Sequence, residues 1–254
     1  MKISINIPSY KRPYVETLEY IHDAIIWVSE SQLQDYKAKN ASGTFRTMPD
    51  EVNGNIARVR NYILDHTKED DAVVIMDDDC KGLYYWEKNE KYLVEESRFL
   101  AFVEKYTNIA EQFGSMMWGV NVNQDKQVYR EYSPFSLSNF VGAPFGVFLK
   151  GNTLRYDERI PLKEDYDMTL QQLNKYRKVL RLNKFFYIVK QHTQVGGVAN
   201  MRSLKVEKEQ LELLQKKWGK DIVKFDNNSR SHNSTKQKTN IDLNPVIKAP
   251  IKGV

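Results

Sequence analysis

The feature that most constrains the fold of this chain is a short apolar run that leads directly into acids. Residues 72–76 (AVVIM) are all apolar, and Asp77, Asp78 and Asp79 follow without a break. Such a run predicts a buried strand of a sheet. Adjacent carboxylates at the end of a buried strand repel each other and lose solvation, which favours either protonation or binding of a cation. The pattern therefore predicts an acidic site at one edge of a sheet.

The chemistry of these acids indicates which cation would bind. Hard oxygen ligands select Mg²⁺ or Mn²⁺. An ion of this kind prefers one or two protein carboxylates together with the phosphates of a substrate, so the motif favours a nucleotide-diphosphate ligand. A strand followed by an ordinary Asp-rich turn has the same sequence, and this stretch alone leaves both interpretations open.

Length and composition favour one large α/β domain. The chain has 254 residues, with no internal repeat and no mid-chain linker. We expect a single catalytic domain over residues 1–222 and a polar tail over residues 223–254. Residues 226–240 (DNNSRSHNSTKQKTN) contain too few apolar side chains to order themselves, so we expect disorder or ordering on a ligand.

Charge and cysteine content restrict the partners and the compartment. Lys and Arg number 38 against 33 Asp and Glu, and the sequence pI is about 9.0, a mild excess that is compatible with an anionic partner. No apolar run is long enough to span a bilayer, and the N-terminus lacks the apolar stretch of a signal peptide. Cys80 is the single cysteine, which excludes an intrachain disulfide and a cysteine zinc cluster. We expect a cytoplasmic protein without a membrane span.

Periodicity predicts alternating strands and helices. Predicted strands cover residues 3–7, 72–76, 116–122, 145–150 and 185–190, and predicted helices cover residues 14–29, 55–66, 93–113, 165–176 and 204–218. Gly114 and Gly219 end two of the helices. The alternation indicates a Rossmann-like α/β fold, with a mostly parallel central sheet and helices on both faces.

Further polar residues fall where an α/β sheet binds ligands, beyond the carboxyl ends of its strands. They are Pro8, Ser9, Tyr10 and Arg12 after the first strand, and Glu164 and Asp165 at the start of a helix. Tyr10 can stack on a base and Arg12 can meet a phosphate, although a surface turn would have the same composition. Acids at a first helical turn are equally explained as helix caps.

The second helix carries Arg58, Arg60 and Asn61. Residues two apart cannot share one face of a helix. We therefore expect at most one of the two arginines to point at the site, together with Asn61 or Arg12.

Together these segments resemble the GT-A fold glycosyltransferases over about residues 1–200. The matching segments are IPSYKRP at residues 7–13, NGNIARVRNYIL at 53–64, VVIMDDDC at 73–80 and KEDYDM at 163–168, with His192 in KQHTQVGG. The resemblance implies that Asp77, Asp79 and His192 bind Mn²⁺ or Mg²⁺ with the diphosphate of a nucleotide sugar. It also implies that Asp165 is the catalytic base, with Glu164 beside it.

The same resemblance implies a set of nucleotide-binding residues. They are Pro8, Ser9, Tyr10, Arg12, Arg58, Arg60, Asn61 and Asp78. The role of Asp78 stays open, because three consecutive aspartates leave the register of the metal motif ambiguous.

Sugar-transfer chemistry fits these residue types independently of the resemblance. Transfer from a nucleotide diphosphate builds negative charge on the departing phosphate, which a divalent ion and an arginine can neutralise. The acceptor hydroxyl must lose a proton, which a carboxylate at a helix start can accept. Asp165 occupies such a position in the sequence.

More narrowly, the small size, the GNIARVRN segment and the DDD triplet resemble the TET-associated glycosyltransferases, thought to decorate hydroxymethylated bases in phage and related DNA. This resemblance implies a hexosyl- or pentosyltransferase that moves a sugar from a UDP-sugar to 5-hydroxymethylpyrimidine in phage DNA, in the host cytoplasm. Alternative hypotheses are a glycosyltransferase for polysaccharide or protein, a nucleotidyltransferase, and a non-enzymatic nucleic-acid-binding module. The sequence specifies neither the donor sugar nor the oligomeric state.

Overall fold

The computed structural model of the chain describes residues 1–189, 203–225 and 243–251. Within these ranges a ten-stranded sheet forms the centre of the molecule. Its strands in chain order are β1 (Ile3–Pro8), β2 (Ile25–Ser29), β3 (Thr44–Met48), β4 (Ala72–Met76), β5 (Cys80–Glu87), β6 (Glu90–Leu93), β7 (Met117–Asn121), β8 (Phe135–Ser136), β9 (Phe145–Leu149) and β10 (Leu180–Val189). The spatial order is β3-β2-β1-β4-β9-β7-β10-β5-β6, and β8 pairs with β10.

Most strands of this sheet run in one direction. β1 is parallel to β2 and β4, β2 is parallel to β3, and β7 is parallel to β10. The antiparallel pairs of β9 with β4 and β7, and of β5 with β10 and β6, then set the remaining directions. The carboxyl ends of β1, β4 and β7 therefore share one edge of the sheet.

Helices cover both faces of the sheet. They are α1 (Leu33–Lys39), α2 (Ile56–His66), α3 (Glu96–Phe113), α4 (Glu164–Tyr176) and α5 (Leu204–Trp218). Ala72, Val74 and Met76 of β4 pack in the cluster that includes α1 and α3, whereas Val73 and Ile75 pack in the cluster that includes α2 and α4. This alternation is what a strand buried on both faces requires. The predicted α/β fold, with a mostly parallel sheet between helices, is confirmed.

The C-terminal residues pack on the outer side of α4. A third cluster joins α4 to α5 and contains the buried side chains of Val223 and Leu243. β11 (Val223–Lys224) pairs antiparallel with β12 (Val246–Ile247). The division of the chain after residue 222 stays a prediction, and the predicted disordered segment 226–240 lies outside the described residues. No helix in the described ranges is both long and apolar enough to cross a bilayer.

The helix predicted over residues 14–29 is wrong. The structure has a short 3-10 helix at Glu16–Glu19 and then strand β2. Ile26 and Val28 pack on one face of the sheet and Trp27 packs on the other. A strand that is buried on both faces is continuously apolar, so its residues also match helical spacing.

The hairpin after the acids was not predicted either. β5 and β6 are joined by Lys88 and Asn89, which both have positive φ angles of 46° and 71°. A two-residue turn of this kind is usually marked by glycine, which is absent here. Because of the hairpin, α3 begins at Glu96 instead of residue 93, and it ends at Gly114 in the left-handed conformation, as predicted.

Candidate active site

The acids singled out by the sequence lie together at the edge of the sheet where β1 and β4 end. Asp77, Asp78 and Asp79 form the turn from β4 into β5, and Glu164 and Asp165 open α4. The backbone N–H of Asp77 donates to the Pro144 carbonyl at 2.9 Å, which ties this turn to the segment before β9. Acids from two distant parts of the sequence are thereby gathered in one site.

Arg60 on α2 joins acids from both segments. Its Nη1 donates to Glu164 Oε1 at 3.0 Å and to Asp165 Oδ1 at 2.8 Å, and its Nη2 donates to Asp77 Oδ1 at 3.1 Å. The Arg60 side chain is 4% exposed, and its guanidinium lies 5.5 Å from the centre of the Tyr156 ring. Burial lowers the pKa of the Arg60 guanidinium. The negative charges of Asp165 and Asp77 have the larger effect, so the pKa lies well above its usual value. Arg60 is therefore a fixed cation at the centre of the acidic site.

Both acids of α4 have raised pKa values. Burial, followed by the charge of Asp165, raises the pKa of Glu164 to about 8. Burial also raises the pKa of Asp165, against the opposing charge of Arg60 and a 2.9 Å hydrogen bond from the Ala143 N–H to Asp165 Oδ2. Carboxyls this close cannot both ionise freely. The raised pKa of Glu164 favours its protonated form at neutral pH, which lowers the repulsion on Asp165.

Asp78 points inward and fixes the loop that follows β1. Arg12 Nη1 donates to Asp78 Oδ1 at 2.8 Å, and Ser9 Oγ donates to Asp78 Oδ2 at 2.5 Å. Burial raises the pKa of Asp78, while the charge of Arg12 opposes that shift. Both carboxylate oxygens of Asp78 thus have protein partners and the side chain is buried, whereas Asp77 and Asp79 are the outward-facing members of the triplet.

Asp77 and Asp79 fit a divalent cation that also binds phosphate. Their side chains are 31% and 22% exposed, in contrast to the buried Asp78. Burial, followed by the charges of Asp77 and Asp78, raises the pKa of Asp79 to about 7, so a further cation would relieve repulsion there. The described residues contain no group of three or more metal-binding side chains. This donor set suits an ion whose remaining ligands are substrate phosphates and water. The third predicted ligand, His192, lies outside the described residues.

The residues predicted to bind the nucleotide divide into two groups. Pro8 is the last residue of β1, and Ser9, Tyr10 and Arg12 lie in the loop that follows it, beside the acids. Lys11 Nζ lies 5.0 Å from the centre of the Tyr10 ring. Arg60 forms the ion network with Asp77, Glu164 and Asp165, and Asp78 pairs with Arg12 beside that network.

The structure does not bring Arg58 and Asn61 to this network. Arg58 Nε donates to Glu158 Oε2 at 2.9 Å on the surface. Asn61 Nδ2 donates to the Tyr156 carbonyl at 3.0 Å, and its Oδ1 accepts from the Tyr156 N–H at 2.7 Å. The reason is the geometry of α2. Residues 58 and 61 are three apart and lie on one side of the helix, whereas residue 60 is two positions from residue 58 and points to another side.

Several residues that support the acids carried no recognisable sequence signal. Thr17 Oγ1 donates to the Asp77 carbonyl at 2.6 Å and accepts from the Cys80 N–H at 2.9 Å. Tyr36 Oη lies 2.8 Å from Ser9 Oγ and accepts from the Arg12 N–H at 3.0 Å. Thr17 falls in the 3-10 helix and Tyr36 in α1, elements that were not predicted, so their approach to the site could not be foreseen.

Three solved structures are similar to the chain at low identity. The crystal structure of S. aureus TarS residues 1–349 in complex with UDP is 12% identical, covers 85% of this chain and 66% of its own, and has a TM-score of 0.47. A second S. aureus TarS structure is 12% identical over 85% of this chain and 40% of its own, with a TM-score of 0.44. The crystal structure of mannose-1-phosphate geranyltransferase from Thermus thermophilus is 8% identical, covers 74% of this chain and 76% of its own, and has a TM-score of 0.43. The chain spans less than two thirds of the length of either TarS chain.

The family comparison is decisive where the structural one is not. A comparison with curated protein sequences found no match. The profile of the TET-associated glycosyltransferases matches residues 11–198, a range that includes the loop after β1, the aspartate triplet and the start of α4. Because this match spans well over half of its length, the chain belongs to the TET-associated glycosyltransferase family.

Proposed function

We propose that this glycosyltransferase moves a sugar from a UDP-sugar or a related nucleotide-diphosphate sugar to a hydroxyl group, in a reaction that depends on Mn²⁺ or Mg²⁺. The observation that carries the proposal is the ion network around Arg60. It joins the outward-facing Asp77 to the buried Glu164 and Asp165 within 3.1 Å. A candidate metal ligand and a candidate base are thereby rigidly linked, as transfer between a donor and an acceptor requires.

The donor side of the site is formed by the loop after β1 and the aspartate turn. Asp77 and Asp79 would hold the divalent ion, with His192 as a further proposed ligand. When bound, the ion supplies positive charge to the departing diphosphate. Arg12 is held beside the same turn by Asp78, at 2.8 Å, and adds a second positive charge there. The partly exposed Tyr10 offers a ring on which the nucleotide base can stack.

Asp165 is the proposed base for the acceptor. Its carboxylate is held by the Arg60 guanidinium at 2.8 Å and by the Ala143 N–H at 2.9 Å, so its orientation is fixed before substrate binds. In the reaction Asp165 accepts the proton of the acceptor hydroxyl as that oxygen forms its bond to the sugar and the nucleoside diphosphate leaves. Glu164, whose raised pKa favours the protonated form at neutral pH, limits the negative charge around Asp165.

The proposed acceptor is 5-hydroxymethylpyrimidine in DNA. Membership of the TET-associated family supports this choice, as does the net charge of +5, because nucleic acid is anionic. Lys and Arg side chains of residues 226–240 are proposed to contact phosphates. A base inside a duplex is out of reach of a recessed carboxylate, so the substrate would be single-stranded or flipped out of its stack.

The experiment offers the protein a panel of donors and acceptors and weighs the products by mass spectrometry. The donors are UDP-, GDP- and CDP-sugars, with Mn²⁺ or with chelator. The acceptors are oligonucleotides with and without 5-hydroxymethylpyrimidine, a protein and a polysaccharide. We expect that sugar is added only to the hydroxymethylated oligonucleotide, and only when Mn²⁺ is present. Sugar on polysaccharide or protein but never on hydroxymethylated DNA would refute the acceptor, and addition of a nucleotide would indicate a nucleotidyltransferase.

A further inference from the structure

Arg181 on β10 is a largely buried arginine without an acidic partner in the described ranges. Its Nε donates to Asn183 Oδ1 at 2.9 Å, and its Nη1 approaches the Phe140 carbonyl at 3.4 Å. Its Nη2 has no acceptor among residues 1–189, 203–225 and 243–251. The residues paired with Arg181 in the sheet are Gly119 and Ser136, which are small and uncharged. The guanidinium therefore has only neutral neighbours and retains unused donors.

The electrostatic state of Arg181 differs from that of the other arginines at the site. Burial alone lowers the pKa of Arg181 to about 10, with no compensating charge. At neutral pH it is still a cation. The pKa of both Arg12 and Arg60, in contrast, is raised by neighbouring acids. Removing a cation from water without a counter-ion is costly, and the arrival of an anion would offset that cost.

Arg181 is separated from Asp165 by a single loop segment. The Phe140 ring stacks on Tyr166 of α4, with ring centres 4.2 Å apart. At Gly142, a Cβ atom would meet the Phe140 ring on one side and lie 3.0 Å from Asp165 Cβ on the other. The segment of residues 140–143 thus approaches Arg181 at the Phe140 carbonyl and Asp165 at Gly142 and Ala143.

The order of the strands puts Arg181 and the proposed nucleotide-binding loop on opposite sides of Asp165. Asp165 accepts a hydrogen bond from the Ala143 N–H, shortly before β9. Arg12 follows β1, on one side of β9, whereas Arg181 lies on β10, on the other side. A phosphate bound by Arg181 would therefore be displaced across the sheet from Arg12 and the donor nucleotide. It would belong to the molecule that approaches Asp165 from the other side.

We infer that Arg181 binds a backbone phosphate of the nucleic-acid acceptor, next to the nucleotide whose hydroxymethyl group reaches Asp165. The inference rests on the proposed function and names one specificity contact of its acceptor. An arginine suits this task because its planar fork of donors matches two phosphate oxygens. Phosphate held here would neutralise the buried cation and would fix the distance between the acceptor strand and the base.

The test compares acceptors that differ only in phosphate. Arg181→Gln is assayed with a single-stranded oligonucleotide that carries 5-hydroxymethylpyrimidine and with the corresponding free nucleoside. The matched control is Lys184→Gln, three residues along β10, whose Nζ lies over the Tyr85 ring at 5.1 Å. We expect Arg181→Gln to lower kcat/KM for the oligonucleotide by about 10- to 100-fold, the range for loss of a charged hydrogen bond. For the nucleoside kcat/KM should change less than about twofold in the same variant, since no such bond is lost there.

The salt dependence of oligonucleotide affinity distinguishes a phosphate contact of Arg181 from a purely structural role of this residue. Loss of one phosphate contact should reduce the slope of log affinity against log salt by about 0.7 for a single strand. Arg181→Lys keeps the charge but not the fork, so it should retain the slope and lose part of the affinity. This variant also keeps the test valid if Arg181→Gln folds poorly.

Each remaining outcome contradicts the inference in a recognisable way. Equal losses with nucleoside and oligonucleotide would make Arg181 a structural residue, and loss of UDP affinity would assign its phosphate to the donor. If the wild type transfers sugar to no hydroxymethylated acceptor, the proposed function fails. Fluorescence anisotropy of a labelled oligonucleotide then still tests Arg181, and identical affinity and salt slope for wild type and Arg181→Gln would overturn the contact.

Discussion

Replacement of Arg60 by methionine tests the ion network at the site. Methionine keeps an apolar chain against Tyr156 but leaves Asp77, Glu164 and Asp165 without their shared cation. Because the Arg60 side chain is only 4% exposed, solvent cannot replace it. Breaking a buried ion pair by removal of one partner costs about 3–5 kcal/mol. We expect Arg60→Met to lower the free energy of unfolding by about that amount at pH 8.

The pH dependence of this loss follows from Glu164. Its pKa in the folded protein is about 8, above the value of roughly 4.3 for an unfolded chain. An acid whose pKa is raised by folding stabilises the fold below its unfolded pKa, and this contribution disappears as the pH rises through the folded pKa. Without Arg60 the folded pKa rises further. Up to about pH 8 the wild type and the variant therefore lose this contribution equally, and above pH 8 only the variant continues to lose it, by at most about 1.4 kcal/mol per pH unit for each proton. The deficit should therefore be larger at pH 9.5 than at pH 6.5.

Urea denaturation followed by circular dichroism at pH 6.5, 8 and 9.5 measures these differences. Arg58→Met is the matched control, because Arg58 forms an exposed pair with Glu158 that should contribute about 0–1 kcal/mol. A deficit for Arg60→Met below about 1 kcal/mol at pH 8, comparable to an exposed pair, would refute the reasoning. So would a deficit that is the same at all three pH values.

Two further predictions concern the aspartate triplet and a second buried ion pair. Asp77→Asn and Asp79→Asn should each remove Mn²⁺-dependent UDP binding in calorimetry, whereas Asp78→Asn should keep the metal dependence, because Asp78 faces Ser9 and the interior; equal UDP affinity with chelator and with Mn²⁺ would contradict the metal assignment. Glu207→Gln should lower the free energy of unfolding by about 3–5 kcal/mol in urea, since it removes the charge of Glu207 beside the buried Lys163 ammonium. A loss under about 1 kcal/mol would show that the pair is dispensable.

Local sequence patterns were sufficient for the elements that carry the acids. The run of residues 72–76 predicted a strand buried on both faces, and the acids after it were correctly expected at a sheet edge. α2 has a clear start because the Asn55 side chain accepts hydrogen bonds from the N–H groups of Ala57 and Arg58. An apolar run and a helix cap each depend on residues that are close together in the chain, so they can be recognised from a single sequence.

Contacts between distant residues could not be read in the same way. Arg60 and Asp165 are 105 residues apart, and Ser9 and Asp78 are 69 apart. Spacing on α2 limited the site to one arginine but could not say which, because that depends on how the helix is rotated against the sheet. Arg181 belongs to no sequence motif. It stands out only because no acidic side chain pairs with it among the described residues, and a local pattern cannot show that.

The decisive experiment for the proposed mechanism measures sugar transfer by Asp165→Asn. Asparagine keeps the volume of the side chain but cannot accept the proton of the acceptor hydroxyl. With saturating donor, Mn²⁺ and hydroxymethylated oligonucleotide, we expect transfer to fall by roughly 10²-fold or more while UDP affinity changes little. If the variant instead loses thermal stability and its folded fraction keeps the turnover of the wild type, Asp165 is a structural acid at the start of α4 and not the base.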